Sequence, residues 1–591
     1  MFPELDPAGT LPTLLVISAS ALTGRPAGEW QDLRATASRH RISVAIVGLT
    51  PESDGQKLAP FTGGAKIPVS TGGTGHGLWV SATDSSKPGF ELRGLRLALG
   101  GDTACHLNCP RDLPVEVLAN VGPEESTSRP AMIRFESGEG TSYLLTHTGE
   151  TAGKPEASWE FRRSCFGDVA PYFLLLRDAG GARCWGPPAA MANLTIDDPW
   201  LTEPYGCLSY PGLLAEMKRE RFHATIGFVP WNYDRSSPAT VALIKANPQH
   251  FSIAVHGNNH DRYEFFRYER QPGDNQRAKP LVEQARNIRQ AMARMEAFQQ
   301  TTGLAFDRVM VFPHGVCPGP TLTVLKRQGF WVTSNYSNVP LGERPPADPA
   351  VALRAANEEW DGFPALRRNY PQNLSEEAIA IDLFLGNPVL VMAHQDLFFD
   401  GIDAFNAFAH RVNVRQPAVR WLSLGEISRR LHLSRWLDER SCDVRLMARH
   451  AQIENPRADA VVFRFTKREP SSETVARVTL DGVELPWTFA AGAVHFSASL
   501  PARASGLIEL HYAFPAETTP VDLQRRGFRN RTLRLIAEFR DLALSRSLVG
   551  KILTRKYYRQ GKRRPTISGL FSRLTGFLRV NRPGSSGPGR A

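Results

Sequence analysis

The chain has 591 residues, too many for one hydrophobic core, and its 42% hydrophobic and 22% charged content is ordinary for a globular protein of three or four domains. No run of 18 or more apolar residues occurs, so no spanning helix is expected. The seven scattered cysteines contain no CxxC, which argues against a disulfide framework and for a reducing cytoplasm. The net charge of +11 is uneven: residues 520–591 hold 18 Lys/Arg and 3 Asp/Glu, a net +15, so the other 519 residues sum to −4 and the basicity says little about the substrate of the body.

Residues 1–187 alternate apolar strands with helical or loop stretches. Strands are predicted at 13–18 and 42–47 around a helix at 30–39, with later strands at 95–99, 115–118, 131–135, 141–146 and 172–176. The N-terminus lacks a basic n-region, and the short apolar run 14–22 reads as a strand rather than a signal peptide, so a cytoplasmic location is expected. Strand–helix–strand order predicts an N-terminal α/β domain, amidotransferase-like or flavodoxin-like. Cys105 lies in Gly-Asp-Thr-Ala-Cys-His without a glycine-flanked elbow, so no thiol catalysis is expected. The glycine-rich stretch 70–77 lacks the lysine of a P-loop and reads as a loop. Linker-like punctuation at 180–188 sets the first boundary.

Residues 188–437 repeat strand and helix. Strands are predicted at 191–196, 224–229, 251–255, 309–312, 330–333 and 388–393, and helices at 210–221, 238–247, 281–301 and 321–328. This alternation predicts a β/α barrel of parallel strands, whose strand carboxyl ends face the active site. The first strand ends on Asp197 and Asp198, and Pro199 stops its ladder. Two adjacent anions are costly unless a cation or shared proton relieves them. The strand at 251–255 is followed by His256-Gly-Asn-Asn-His260. Two histidines at i and i+4 share one face of a helical turn. One carboxylate and two imidazoles, with positions left for water, make an open catalytic metal site. Such a site suits one divalent ion, Zn²⁺ first, and also Co²⁺, Ni²⁺, Fe²⁺ or Mn²⁺.

Residues 438–517 change to short strands with an Asp481-Gly482 turn and predict a small antiparallel, β-sandwich-like domain that caps the barrel or binds carbohydrate. Residues 518–591 form a basic tail. Near its end, Ile567, Leu570, Phe571, Leu574, Phe577 and Leu578 make an apolar stripe beside Lys562-Arg563-Arg564. Such a segment lies on an anionic membrane surface or packs on the body of the protein. No base-reading module is visible, so nucleic acid is not the expected partner.

The ordered motifs Thr195-Ile196-Asp197-Asp198, His256-x-x-x-His260, Pro313-x-Gly315 and Leu390-Val-Met-Ala-His394 resemble those of the polysaccharide deacetylases, the NodB-homology carbohydrate esterases. The resemblance covers about residues 190–430. It implies a distorted (β/α)₇ barrel with one divalent ion held by Asp198, His256 and His260. It further implies Asp197 as general base, His394 as general acid, and hydrolysis of an N-acetyl or O-acetyl group on a glycan or sugar-bearing precursor. Asp396 and Asp361 are candidates to orient His394, and His314 is a candidate supporting residue.

The third motif departs from the family. An arginine that orients the catalytic aspartate normally stands two residues before the proline, where this chain has Val311. Either the substrate differs, or another residue supplies the charge, or the barrel is a degenerate glycan-binding or scaffold module. An arginine reaching Asp197 from elsewhere would separate these readings.

Overall fold

In a computed structural model the described residues are 14–543, except 25, 54, 73–75, 101–103, 138–139, 147–158, 261–263, 268–276, 345, 347–350, 352, 515–520 and 525–527, together with Ser547. The apolar stripe expected beyond residue 560 lies outside them. Met1–Arg526 form one compact unit and Gly527–Ala591 a second.

The first unit is a multidomain α/β assembly. Its N-terminal sheet has seven strands in the order Leu14–Ser18, Ser43–Val47, Gly140–Leu145, Arg129–Ser137, Val115–Gly122, Gly77–Val80 and Leu97–Ala98. The first three run parallel and the remaining pairings are antiparallel. The expected strand at 172–176 is instead part of the helix Trp159–Gly180. Its buried Phe166, Ala170, Leu174 and Leu175 recur at helical spacing and pack on the sheet, so the short apolar run belongs to a helix face.

The central sheet is parallel throughout. Seven of its strands run in the order Ala365–Arg367, Val332–Asn335, Asp307–Val311, Phe251–His256, Ala224–Phe228, Met191–Asp197 and Val389–Ala393, and an eighth, Arg420–Trp421, pairs with the start of Met191–Asp197. Past Arg367 the chain bonds to both flanking strands. Arg368 N donates to Asn335 O at 2.8 Å, Asn369 N to Leu390 O at 3.0 Å, and Met392 N to Asn369 O at 2.9 Å. Seven strands thus close into a barrel around side chains buried on both faces, as parallel strands require. Ala365–Arg367 was too short to read from its pattern.

From His432 the chain forms a four-stranded antiparallel sheet and a five-stranded sheet that is antiparallel except where Ser441–Leu446 runs parallel to Val461–Arg468. Their inward rows, including Val444, Phe463, Phe465, Val478, Val494, Ile508 and Leu510, share one core. Strands Val475–Leu480 and Val483–Leu485 meet across Asp481-Gly482, both at positive φ (49° and 82°), which a tight two-residue hairpin demands. In the second unit, helix Phe528–Leu542 leaves Leu535, Ile536 and Phe539 exposed. No helix among the described residues is long and apolar enough to cross a membrane.

Candidate active site

The site lies at the carboxyl ends of the barrel strands. Every residue of Met191–Asp197 is buried, and Asp197 pairs with Gly227 at the last rung. Strand alternation would throw Asp198 to the opposite face. Instead its backbone turns into the left-handed region (φ 79°), with its amide on Gly227 O at 3.2 Å. Aspartate tolerates this conformation better than most residues. The turn brings both carboxylates to one mouth.

His256 is the last residue of its strand and is 1% exposed. Its Nδ1 lies 2.9 Å from Val311 O, an acceptor only, so Nδ1 donates there and Nε2 faces the site. The next four residues do not form the helical turn expected from the spacing: Gly257 and His260 have φ of 61° and 47°. The two imidazoles meet because the chain loops back, not because they share a helix face.

Asp198 Oδ1 stands 3.2 Å from His256 Nε2 and 2.9 Å from His260 Nε2. Both Asp198 Oδ1 and His256 Nε2 are sealed from solvent without a hydrogen-bond partner. Two buried polar atoms left without a hydrogen bond are costly, and a cation between them removes the penalty. Asp198, His256 and His260 are the one group among the described residues with the donor set for a metal, their ligand atoms all within 4.8 Å of one another. The donor set fits a divalent ion with open positions.

Asp197 is held differently. Arg368 Nη1 and Nη2 donate to its two oxygens at 2.7 and 2.6 Å, and the pair is almost fully buried. An arginine from beyond the Ala365–Arg367 strand therefore reaches Asp197, where the third motif offers Val311. Arg368 was missed because the strand before it, Ala365–Arg367, is too short to read from its pattern. The available signal was its position just past a short apolar run, where a barrel strand opens into the mouth.

Burial works to raise the pKa of Asp197, but the Arg368 charge, with His256, outweighs it and holds the carboxyl below its ordinary value. For Asp198, burial is likewise outweighed, by His260 and His256, and the carboxyl sits well below the usual range. Both carboxylates are ionised near neutral pH.

The remaining candidates divide. His394 Nε2 is 3.7 Å from Asp198 Oδ2, whereas the other two imidazoles approach Oδ1. Its ring stacks at 6.4 Å on Tyr370, which lies 6.4 Å from the exposed Tyr336. His314 (φ 61°) is exposed at the rim, its ring 5.3 Å from that of His260. Asp361 is drawn elsewhere: Lys326 Nζ bonds its carbonyl at 2.6 Å and lies 3.9 Å from its carboxylate. Asp396 sits in the turn Gln395–Phe399. Among the described residues neither carboxylate hydrogen-bonds the His394 ring.

No protein-family model matches this sequence, and no curated protein matches it. Solved structures similar to this chain include carbohydrate deacetylases and a family 4 carbohydrate esterase pseudoenzyme from Bacillus anthracis. Agd3, a carbohydrate deacetylase, is 11% identical over 86% of this chain and 91% of that one, with a TM-score of 0.43. A putative polysaccharide deacetylase from Mycobacterium smegmatis is 14% identical over 42% of this chain and 93% of that one, with a TM-score of 0.27. A family 4 carbohydrate esterase from Streptomyces lividans, in complex with acetate, is 14% identical over 40% of this chain and 92% of that one, with a TM-score of 0.22.

Proposed function

We propose that the chain is a metal-dependent hydrolase that removes an N- or O-linked acetyl group from a glycan or sugar-bearing precursor. The observation that carries this reading is a three-donor cluster, Asp198, His256 and His260, beside a second carboxylate, Asp197, clamped by Arg368. A divalent ion on the three donors, Zn²⁺ first, would lower the pKa of a water and polarise the acetyl carbonyl.

Asp197 takes the proton of the attacking water, and Arg368 keeps it ionised and aimed at one place. The same clamp draws charge from Asp197 and makes it a weaker base, a cost met by the acidity of the water it serves. His394, beside the second oxygen of Asp198, gives a proton to the departing amine as the C–N bond breaks and acetate leaves. The exposed face of Tyr336, beside Tyr370, offers an apolar surface to a sugar ring. The β sheets after His432 cap the barrel, and the basic segment 518–591 binds an anionic membrane surface. The arginine on Asp197 favours catalysis over the degenerate binding module.

The test is acetate release from N-acetylated chitooligosaccharides and from O-acetylated xylan by Zn²⁺- or Co²⁺-loaded protein. Turnover in wild type, lost in Asp197→Asn with metal retained, is the expected result. Glycan binding without turnover, unaffected by Asp197→Asn, would move the assignment to a binding module.

A further inference from the structure

The loop that carries His260 is held from two sides. Beneath it, Glu264 accepts the Asn258 amide at 3.1 Å, the Asn259 amide at 2.8 Å and Asn287 Nδ2 at 2.9 Å. Gly257 leaves no room for a side chain: a Cβ there would lie 2.4 Å from both Glu264 Oε2 and Pro313 Cγ. On the other side the loop's asparagines meet the helix Leu281–Thr302. Arg294 Nη1 donates to Oδ1 of Asn258 at 2.8 Å and of Asn259 at 2.7 Å. Gln290 Oε1 accepts from Asn258 Nδ2 at 2.9 Å.

The same two side chains face the other way as well. Arg294 Nε and Nη2 each reach Leu523 O at 3.2 Å, and Nη2 reaches Gln524 O at 3.1 Å. Gln290 Nε2 donates to Asp522 O at 2.6 Å. Arg294 is fully buried and Gln290 is 9% exposed, one helical turn apart. Asp522 shapes the segment itself, its carboxylate accepting the Gln524 amide at 2.8 Å.

We infer that residues 522–524, more than 260 positions from the His256–His260 motif, are part of its support, and that Arg294 and Gln290 are positioning residues joining the two. Arg294 presents its N–H groups in a rigid fork, so its two sets of acceptors are coupled. When the carbonyls of 523 and 524 leave, a buried guanidinium loses three hydrogen bonds and must turn toward replacements. The asparagine oxygens then lose their donors, and the loop bearing His260 loosens. His256 is anchored independently through Val311. The consequence for metal rests on the proposed metal site; the coupling between segment and loop does not.

The experiment uses the full-length chain with Asp522→Gly, Leu523→Gly and Gln524→Gly together, and separately Arg294→Lys. Amide hydrogen exchange over residues 254–260 is measured without metal, and Zn²⁺ affinity by chelator competition. The expected result is faster exchange in 254–260 in both variants, unchanged exchange in Ala224–Phe228, and Zn²⁺ binding weaker by about tenfold or more. The triple glycine variant changes only a surface segment, so it decides the matter if Arg294→Lys fails to fold. Unchanged exchange and unchanged Zn²⁺ affinity in the triple variant would overturn the inference. Faster exchange in a chain whose wild type binds no Zn²⁺ would uphold the coupling and overturn the metal site alone.

Discussion

Arg368 and Asp197 form a bidentate pair, with Nη1 to Oδ1 at 2.7 Å and Nη2 to Oδ2 at 2.6 Å, sealed inside the mouth of the barrel. Two parallel charge-assisted bonds fix the carboxylate plane as well as its charge, which one lysine could not do. Arg368→Met should therefore lower kcat by roughly 100-fold or more while metal content stays at the wild-type value. Arg368→Lys should recover the charge but little of the rate. Acetate release on a substrate the wild type turns over, with elemental analysis alongside, reads both. A wild-type rate in Arg368→Met would mean that Asp197 is not the base.

The metal donors give a separate prediction. Asp198 and His256 place unsatisfied atoms 3.2 Å apart, so removing either should remove the ion. Purified wild type should carry about one divalent ion per chain, absent from Asp198→Ala and His256→Ala but present in Asp197→Asn and His394→Ala. An ion that survives Asp198→Ala, or none after incubation with Zn²⁺, Co²⁺ and Mn²⁺, would remove the proposed centre.

Six of the barrel strands were legible because they are short, largely apolar runs that alternate with helices or loops. Asp197-Asp198 and His256 could be placed at strand ends for the same reason. The Asp197 partner was not legible: Arg368 is 171 residues away, and only closure of the barrel through Asn369 brings it home. The His256–His260 spacing was read as a helical turn, yet Gly257 and His260 adopt positive φ, and Glu264 and Pro313 leave no room for a side chain at Gly257. Spacing carried the pairing but not the conformation. The stretch at 172–176 failed for a third reason, since five apolar residues fit a buried helix face as well as a strand.

Stability should fall as the medium turns acidic. Burial pushes His450 down to about 3 and His223 and His432 to about 4, with nearby arginines adding to the effect at His450 and His432. Below the ordinary histidine value the unfolded chain binds these protons and the folded chain does not. Their stabilisation is therefore full above about pH 6.5 and is lost progressively down to the folded values. Burial also raises Asp307 to about 6 and Glu358 to about 7, and these two act in the opposite sense as pH rises. Three histidines against two acids leave a net loss on acidification. Denaturant midpoints at pH 7 and pH 5 check it. His432→Leu should lose less between the two than wild type, and parallel behaviour would show that His432 is not the group titrating.

The junction of barrel and sandwich carries the last prediction. Glu469 is fully buried, with Lys326 Nζ at 2.6 Å from one oxygen and Lys467 Nζ at 3.0 Å from the other. Lys326 comes from the barrel helix Gly319–Arg327, and Lys467 from the strand Val461–Arg468. Tyr512 donates to the same carboxylate. Removing the anion leaves two ammonium groups in low dielectric with only the Asp361 carboxylate, 3.9 Å from Lys326 Nζ, to balance them. Glu469→Ala should cost about 3–5 kcal/mol in a denaturant titration, far more than a surface carboxylate. The deficit comes from the stranded cations rather than from a lost attraction. Adding Lys326→Met and Lys467→Met to Glu469→Ala should therefore recover much of it. A triple variant as unstable as Glu469→Ala alone would show that packing at Glu469, not charge, joins the two layers.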